Sequence, residues 1–125
     1  MTKAKIIGTA PQLLVRNVAE TVEFYKQKLG FELIGLVGNP PVYGMIKKDD
    51  FQIHFAHSPT GNIRTNRSSC AGCCDFILWI PEIDQFYTEL KQREVKIVEE
   101  ITRRTYGSRE FVFQDLDGHH ILVGD

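Results

Sequence analysis

Two segments of the sequence repeat the same order of predicted elements. Residues 13–18 begin with three apolar residues and lead into an amphipathic helix, and residues 78–83 do the same 65 positions later (78 − 13). Each repeat then closes with a β-rich segment after a turn, at residues 50–55 and 118–123. A unit of about 60 residues buries too little apolar surface to be stable alone. We therefore expect the two repeats to pack together or with a partner chain.

Length, charge and composition exclude several classes of protein. The 125 residues suit a single domain, and 42% apolar with 25% charged residues is typical of a soluble globular chain. Fifteen basic residues nearly balance sixteen acidic ones, so the charge favours neither nucleic acid nor an anionic membrane as a partner. The N-terminal residues lack the apolar core of a signal peptide, and no later run is long enough to span a bilayer. We therefore expect a cytoplasmic protein.

The helices have recognisable ends in the sequence. Asn17, with Glu20 three residues later, predicts the N-cap of the first helix, and Gly30 predicts its C-terminal end. Pro81 predicts the first turn of the second helix. The apolar stripes that should face the core are Val18, Val22, Tyr25 and Leu29 in the first helix and Ile83, Phe86, Tyr87 and Leu90 in the second.

The repeat divides the chain into modules. The first module covers about residues 8–56, and the second covers about residues 73–125. Residues 57–72 are polar and predict a connecting loop. Together the modules form one domain over residues 1–125.

Two motifs resemble those of a known family. Residues 17–31, with Asn17-Val18, Phe24-Tyr25 and Leu29-Gly30-Phe31, are similar to the "D-(x)n-F-Y-x(3)-L-G-F" signature of the vicinal oxygen chelate superfamily. Residues 106–119 are similar to its "Y-G-x-R-E-F … D-P-D-G-N" ending. Asn17 takes the place of the usual Asp, and Leu116 that of the usual Pro. The superfamily includes glyoxalase I, extradiol dioxygenases, and the fosfomycin and bleomycin resistance proteins.

The resemblance implies an α+β fold. It consists of two βαβββ modules, each a curved, open mixed sheet around a concave cavity. Small members of the family usually assemble as homodimers whose sites lie at the interface, and we expect a dimer here. Fold alone does not decide the chemistry, because the family contains enzymes of several kinds and proteins that only bind.

The resemblance also implies where a metal would bind. Family enzymes hold a divalent metal on inward-facing side chains of the first and last strands of each module, and the corresponding positions here are Ala10, His54, Asp75 and Leu122. Ala and Leu have no donor atoms, so we predict no cofactor, with a divalent metal as the alternative. His54 and Asp75 are instead expected to line the cavity, hydrogen-bonded to each other or to a ligand.

Two further residues are candidates for ligand contacts. Trp79 shares a face with Asp75 and Ile77 by the period-two rule, and it offers a flat surface and an N–H donor. The competing interpretation is that Trp79 fills the core. Arg109 could bind a carboxylate or phosphate, or it could brace an acidic side chain: Glu110, Asp115 or Asp117. His119 and His120 are adjacent on a strand, so at most one of them faces the cavity.

The three cysteines lie together at Cys70, Cys73 and Cys74. One Cys-x-x-Cys pair lacks the second pair of a structural zinc site. We expect small, partly buried thiols, with an oxidation-sensitive pair as the alternative.

The sequence thus predicts a small-molecule-binding protein of the glyoxalase/bleomycin-resistance type, which binds or sequesters a compact ligand without a catalytic metal. The expected ligand contacts are His54, Asp75, Trp79 and Arg109. A metal-dependent lyase, isomerase or thiol transferase is the first alternative, and a dioxygenase-like activity lacks a full ligand set in the same way. A structural or regulatory dimer with a vestigial cavity is the second alternative.

Overall fold

The computed structural model describes residues 2–125, whose strands and helices follow one another in the order that the repeat predicts. The elements are β1 (Gln12–Val15), α1 (Val18–Leu29), β2 (Glu32–Val37), β3 (Tyr43–Lys48), β4 (Phe51–His57), α2 (Asn66–Ser69), β5 (Phe76–Trp79), α3 (Ile83–Gln92), β6 (Lys96–Arg103), β7 (Arg109–Gln114) and β8 (His120–Gly124). Contacts divide the chain into two compact units, one that ends at Gly61 and one from Asn62 to Asp125.

Each unit contains one open four-stranded sheet. The strand orders are β1-β4-β3-β2 and β5-β8-β7-β6, so the two sheets have the same topology. In each sheet the first pair is parallel and the other two pairs are antiparallel. This arrangement confirms the α+β class and the two βαβββ modules. Within residues 2–125, no helix is long and apolar enough to cross a membrane.

In the first unit, α1 packs on the sheet with the predicted stripe. The Asn17 side chain accepts a hydrogen bond of 2.9 Å from the Glu20 amide, which confirms the predicted N-cap. Gly30 ends the helix in the left-handed conformation, with φ of 77°. Val18, Val22, Tyr25 and Leu29 are buried, as predicted. Gly44 of β3 allows the close approach, because a Cβ there would lie 2.8 Å from Cγ1 of Val18.

In the second unit, α3 packs on the sheet through aromatic rings. Phe86 contacts Phe111 and Phe113 of β7 with ring centroids 6.3 Å apart in each pair. The predicted role of Pro81 is wrong by two residues. The helix begins at Ile83 with Glu82 as its N-cap, so Pro81 lies before the helix.

The segment predicted as a loop contains one further element. Residues 66–69 form the short helix α2, which the Thr65 side chain caps by accepting a hydrogen bond from the Ser68 amide. The sequence did not reveal this helix, because four polar residues have no apolar periodicity.

Candidate ligand-binding site

The sheet of the second unit has a face opposite α3, which we call the distal face. Phe111 and Phe113 point to α3, so the residues that alternate with them on β7 point to the distal face. The pairing register then arranges the side chains of this face in three rows across the sheet. The rows are Trp79, Gly124, Glu110 and Thr102; then Ile77, Leu122, Val112 and Glu99; then Asp75, His120, Gln114 and Lys96. The middle row is apolar except for Glu99, and each of the other two rows contains several polar side chains.

Trp79 and Glu110 flank Gly124 in the first row. A Cβ on Gly124 would lie 3.6 Å from Cδ1 and 3.7 Å from Nε1 of Trp79, and 3.8 Å from Cγ of Glu110. The missing side chain therefore leaves a gap of about one methyl group between the edge of the indole and Cγ of Glu110, which we call the notch. Trp79 shares this face with Ile77 and Asp75, as the period-two rule predicts. It is 73% exposed, which contradicts the core-filling interpretation.

Glu110 is a buried carboxylate that accepts hydrogen bonds from three side chains. It is only 8% exposed. Its Oε1 accepts hydrogen bonds from the hydroxyl of Tyr106 at 2.6 Å and from Nε of Arg104 at 3.0 Å, and its Oε2 accepts one from Ser108 at 3.1 Å. Burial by itself would raise the pKa of Glu110, but these three donors outweigh it and lower that pKa. Glu110 is therefore charged at neutral pH.

A chain of polar contacts links the rows of the distal face. Glu99 accepts hydrogen bonds from Arg67 and from Arg104, both at 3.4 Å. Arg67 also donates to Nδ1 of His120 at 3.1 Å, and Nε2 of His120 contacts Gln114 at 3.1 Å. Burial, and then the positive charge of Arg67, lowers the pKa of His120. His120 is therefore a neutral imidazole that carries its proton on Nε2.

Asp75 fastens two elements of the second unit. Its Oδ1 accepts a hydrogen bond from the backbone amide of Asn66, at the start of α2, and its Oδ2 accepts one from the amide of His120, at the start of β8. Both bonds are 2.9 Å long. Each carboxylate oxygen thus has a backbone partner, which gives Asp75 a structural role that the sequence did not suggest.

His54 belongs to a separate polar chain in the first unit. Nε2 of Gln12 donates to the hydroxyl of Tyr43 at 3.0 Å, and that hydroxyl lies 2.7 Å from Nδ1 of His54. Nε2 of His54 lies 2.8 Å from Oε1 of Gln52. Oε1 can only accept, so Nε2 of His54 donates to it. Both ring nitrogens of His54 are therefore engaged within its own unit.

Arg109 points away from the distal face. Its guanidinium makes a bidentate ion pair with Asp84 of α3, with two bonds of 2.7 Å. The hydrogen bond to Asp84 raises the pKa of Arg109, and the same bond lowers the pKa of Asp84. The expected acidic partners were Glu110, Asp115 and Asp117, and the observed one is different. The geometry gives Arg109 the role of fastening β7 to α3, and a ligand contact remains only a sequence prediction.

The expectation that both adjacent histidines lie on a strand was wrong, because β8 begins at His120 and His119 belongs to the turn before it. His120 lies on the distal face, whereas His119 is 2% exposed beside Asp115 in the turn between β7 and β8. Nδ1 of His119 is 3.1 Å from Oδ2 of Asp115, whose Oδ1 accepts the His119 amide at 2.9 Å. Burial by itself would lower the pKa of His119, but the bond and the charge of Asp115 outweigh it and raise that pKa. The pair stabilises the turn.

The cysteines differ from the sequence expectation of free thiols. Cys70 and Cys73 form a disulfide, and Cys74 is a half-buried free thiol. The expectation was wrong because sequence spacing does not show that a tight turn brings the first two sulfur atoms together.

The residues at the family's metal positions do not fit a divalent ion. Ala10 and Leu122 have no donor atoms, and both oxygens of Asp75 accept backbone amides. In the part of the chain from residue 2 to 125, no three His, Cys, Asp or Glu side chains are grouped closely enough to hold a metal ion.

Comparisons with solved structures show the same fold at low sequence identity. The bleomycin-binding protein of bleomycin-producing Streptomyces verticillus, solved with copper(II)-bleomycin, is 18% identical, with a TM-score of 0.71 and 96% coverage of both chains. A bleomycin resistance determinant encoded on the transposon Tn5 is 17% identical, with a TM-score of 0.75, and the match covers 96% of this chain and 98% of that one. A lactoylglutathione lyase from Agrobacterium tumefaciens is 17% identical, with a TM-score of 0.73, and the match covers 98% of this chain and 95% of that one.

The family itself is shown by sequence. No curated protein matches the chain. A family model matches residues 8–123, which is nearly the whole chain. The chain therefore belongs to the Glyoxalase/Bleomycin resistance protein/Dioxygenase superfamily.

Proposed function

We propose that this protein binds a compact, flat small molecule on the distal face of the second unit, without a catalytic metal. The observation that carries the proposal is the exposed indole of Trp79, which lies across Gly124 from the buried side chain of Glu110. An exposed indole on a β-sheet offers a flat apolar surface, and a charged group beside it gives orientation.

The charge of Glu110 indicates which ligands fit best. A carboxylate has about four acceptor sites, and within residues 2–125 three donors reach Glu110: Arg104, Tyr106 and Ser108. One acceptor site therefore remains for a ligand N–H or O–H. A ring that stacks on the exposed indole of Trp79 and carries such a donor, or a positive charge, would contact Trp79 and Glu110 together. The middle row, with Ile77 and Leu122, would contact the rest of the ligand.

The named neighbours represent both functional classes. Two are named for bleomycin binding or resistance, and one is named a lactoylglutathione lyase. Binding needs only shape and a few placed polar groups, which the distal face offers. A metal-dependent lyase, isomerase or thiol transferase remains the alternative, and Ala10 and Leu122 weigh against it. Elemental analysis of protein purified without chelator tests this, because one tightly bound metal per chain that is lost in His54→Ala would favour the enzyme.

Fluorescence of Trp79 tests the binding proposal. The protein has one tryptophan, so emission and its quenching by acrylamide report this residue alone. A screen of small heteroaromatic amines should find compounds that shift the emission saturably and protect it from acrylamide.

Calorimetry on variants then locates the site. Trp79→Ala should weaken the binding of such a compound by about 1–3 kcal/mol, the contribution of a large buried side chain. Phe51→Ala is the matched control, because Phe51 is 72% exposed and lies in the first unit. Unchanged affinity in Trp79→Ala, or equal losses in both variants, would contradict the proposed site.

We also propose that the protein is a homodimer. The edge strand β2 exposes four apolar side chains: Leu33, Ile34, Leu36 and Val37. Apolar edge strands favour pairing with another chain, and a second copy would cover them.

A further inference from the structure

A tight turn between α2 and β5 holds the Cys70–Cys73 pair. The two Cα atoms are 5.5 Å apart, and the Cys73 amide donates a hydrogen bond of 3.1 Å to the Cys70 carbonyl. Gly72 has φ of 82°, the left-handed conformation that this turn needs at its third residue. The backbone turn thus keeps the two sulfur atoms close whether or not they are bonded.

Both ends of this segment are fastened by bonds that do not involve the disulfide. The Asn66 amide donates to Asp75, and Nδ2 of Asn66 donates to the Cys74 carbonyl at 3.0 Å. Opening the disulfide would therefore leave these two other attachments and keep the thiols near each other for most of the time, which makes closure easy to repeat.

The disulfide is accessible to a thiol in solution. Cys70 is exposed and Cys73 is half-buried. A Cβ on Gly72 would meet no atom within 4 Å, so the turn faces open space. Burial raises the pKa of the Cys74 thiol, so Cys74 stays protonated and is a poor competitor for exchange.

We propose that Cys70 and Cys73 are a reversible dithiol–disulfide pair that exchanges with low-molecular-weight thiols and restrains α2 when oxidised. A thiolate attacks Sγ of Cys70, the sulfur–sulfur bond breaks, and Sγ of Cys73 leaves and takes a proton from water. A second thiolate then attacks the mixed disulfide and releases Cys70 as a thiolate, which takes a second proton. Two thiols are oxidised to one disulfide while the protein gains two electrons and two protons.

The oxidation state should reach the distal face through Arg67. Arg67 lies on α2 and donates to Glu99 and His120. A helix of four residues with none buried is not stable by itself, so it depends on its attachments. Reduction removes one attachment, and α2 with Arg67 should open more often.

Alkylation in glutathione buffers tests the exchange on the full chain. In oxidised buffer mass spectrometry should find one alkylated cysteine, Cys74, and in reduced buffer it should find three, with the same ratio reached from either direction. Cys74→Ser is the matched control and should show no alkylated cysteine in oxidised buffer and two in reduced buffer. Three alkylated cysteines in oxidised buffer, a bond that involves Cys74, or no reduction without denaturant would overturn the proposal.

Trypsin cleavage after Arg67 tests the effect on α2 without any ligand. Cleavage should be about fivefold faster in the reduced protein, because cleavage follows the population of the open segment. In Cys73→Ser it should be fast and insensitive to glutathione, and in Cys74→Ser it should respond as in the wild type. Equal rates for the oxidised and reduced wild type would overturn the restraint of α2.

Discussion

Asp75 offers a direct test of whether a predicted ligand contact is structural. Hydrogen bonds to a charged group each contribute about 1.5–3 kcal/mol. The bond from the Asn66 amide lies at an exposed position, where water can replace the carboxylate, so we count it at about 0.5–1 kcal/mol. The bond from the half-buried His120 amide keeps its full value. Asp75→Ala should therefore lower the free energy of unfolding by about 2–4 kcal/mol.

The isosteric variant separates the two bonds. Asp75→Asn keeps one acceptor oxygen and replaces the other by an amide group, which cannot accept from a backbone N–H. Asp75→Asn should lower the free energy of unfolding by about 1–2 kcal/mol, which is less than the effect of Asp75→Ala. Urea unfolding followed by circular dichroism measures these values. Asp50→Asn is the control, since Asp50 lies in the exposed turn between β3 and β4.

A stability of Asp75→Ala close to that of the wild type would refute the structural role. If the same variant then lost affinity for a compound found in the Trp79 screen, Asp75 would be a ligand contact, as the sequence first suggested. If stability falls and the residual folded protein binds with unchanged affinity, Asp75 should be removed from the site.

Three further predictions follow from single contacts. The pKa of His119 in the folded state lies above its ordinary 6.5. The stability that its pair with Asp115 contributes is therefore full below about pH 6.5 and is lost as the pH rises through the folded-state pKa. In His119→Gln, the free energy of unfolding measured from about pH 5 to 9 should lack this decline. Gly44→Ala should lower the free energy of unfolding by about 1–3 kcal/mol, because the new Cβ overpacks against Val18. Gly8→Ala is the control and should leave the denaturation midpoint unchanged, because its new Cβ meets no atom within 4 Å. Light scattering at micromolar concentration should give twice the chain mass of 14.3 kDa, and a monomer mass would contradict the dimer.

Local signals were enough to predict the strands and the two longer helices of the fold, but not α2. The cap at Asn17, the end at Gly30 and the buried stripe of α1 depend on residues within a few positions of one another, and all were confirmed. The repeat predicted two modules with the same topology. The period of two also placed Trp79 and Ile77 on one face. These features depend on backbone geometry, which short sequence patterns encode directly.

Only the tertiary structure decided the chemistry of the candidate site. Glu110 was visible in the sequence, but its burial and its place across Gly124 from Trp79 depend on the register of β5, β7 and β8. Arg109 could have paired with several acids, and the packing of α3 on β7 selected Asp84. Hydrogen-bond partners far apart in sequence are chosen by strand pairing and packing, and a single sequence contains no measure of either. The sequence by itself therefore determined where the strands and the two longer helices form, and the tertiary structure decided which polar groups meet.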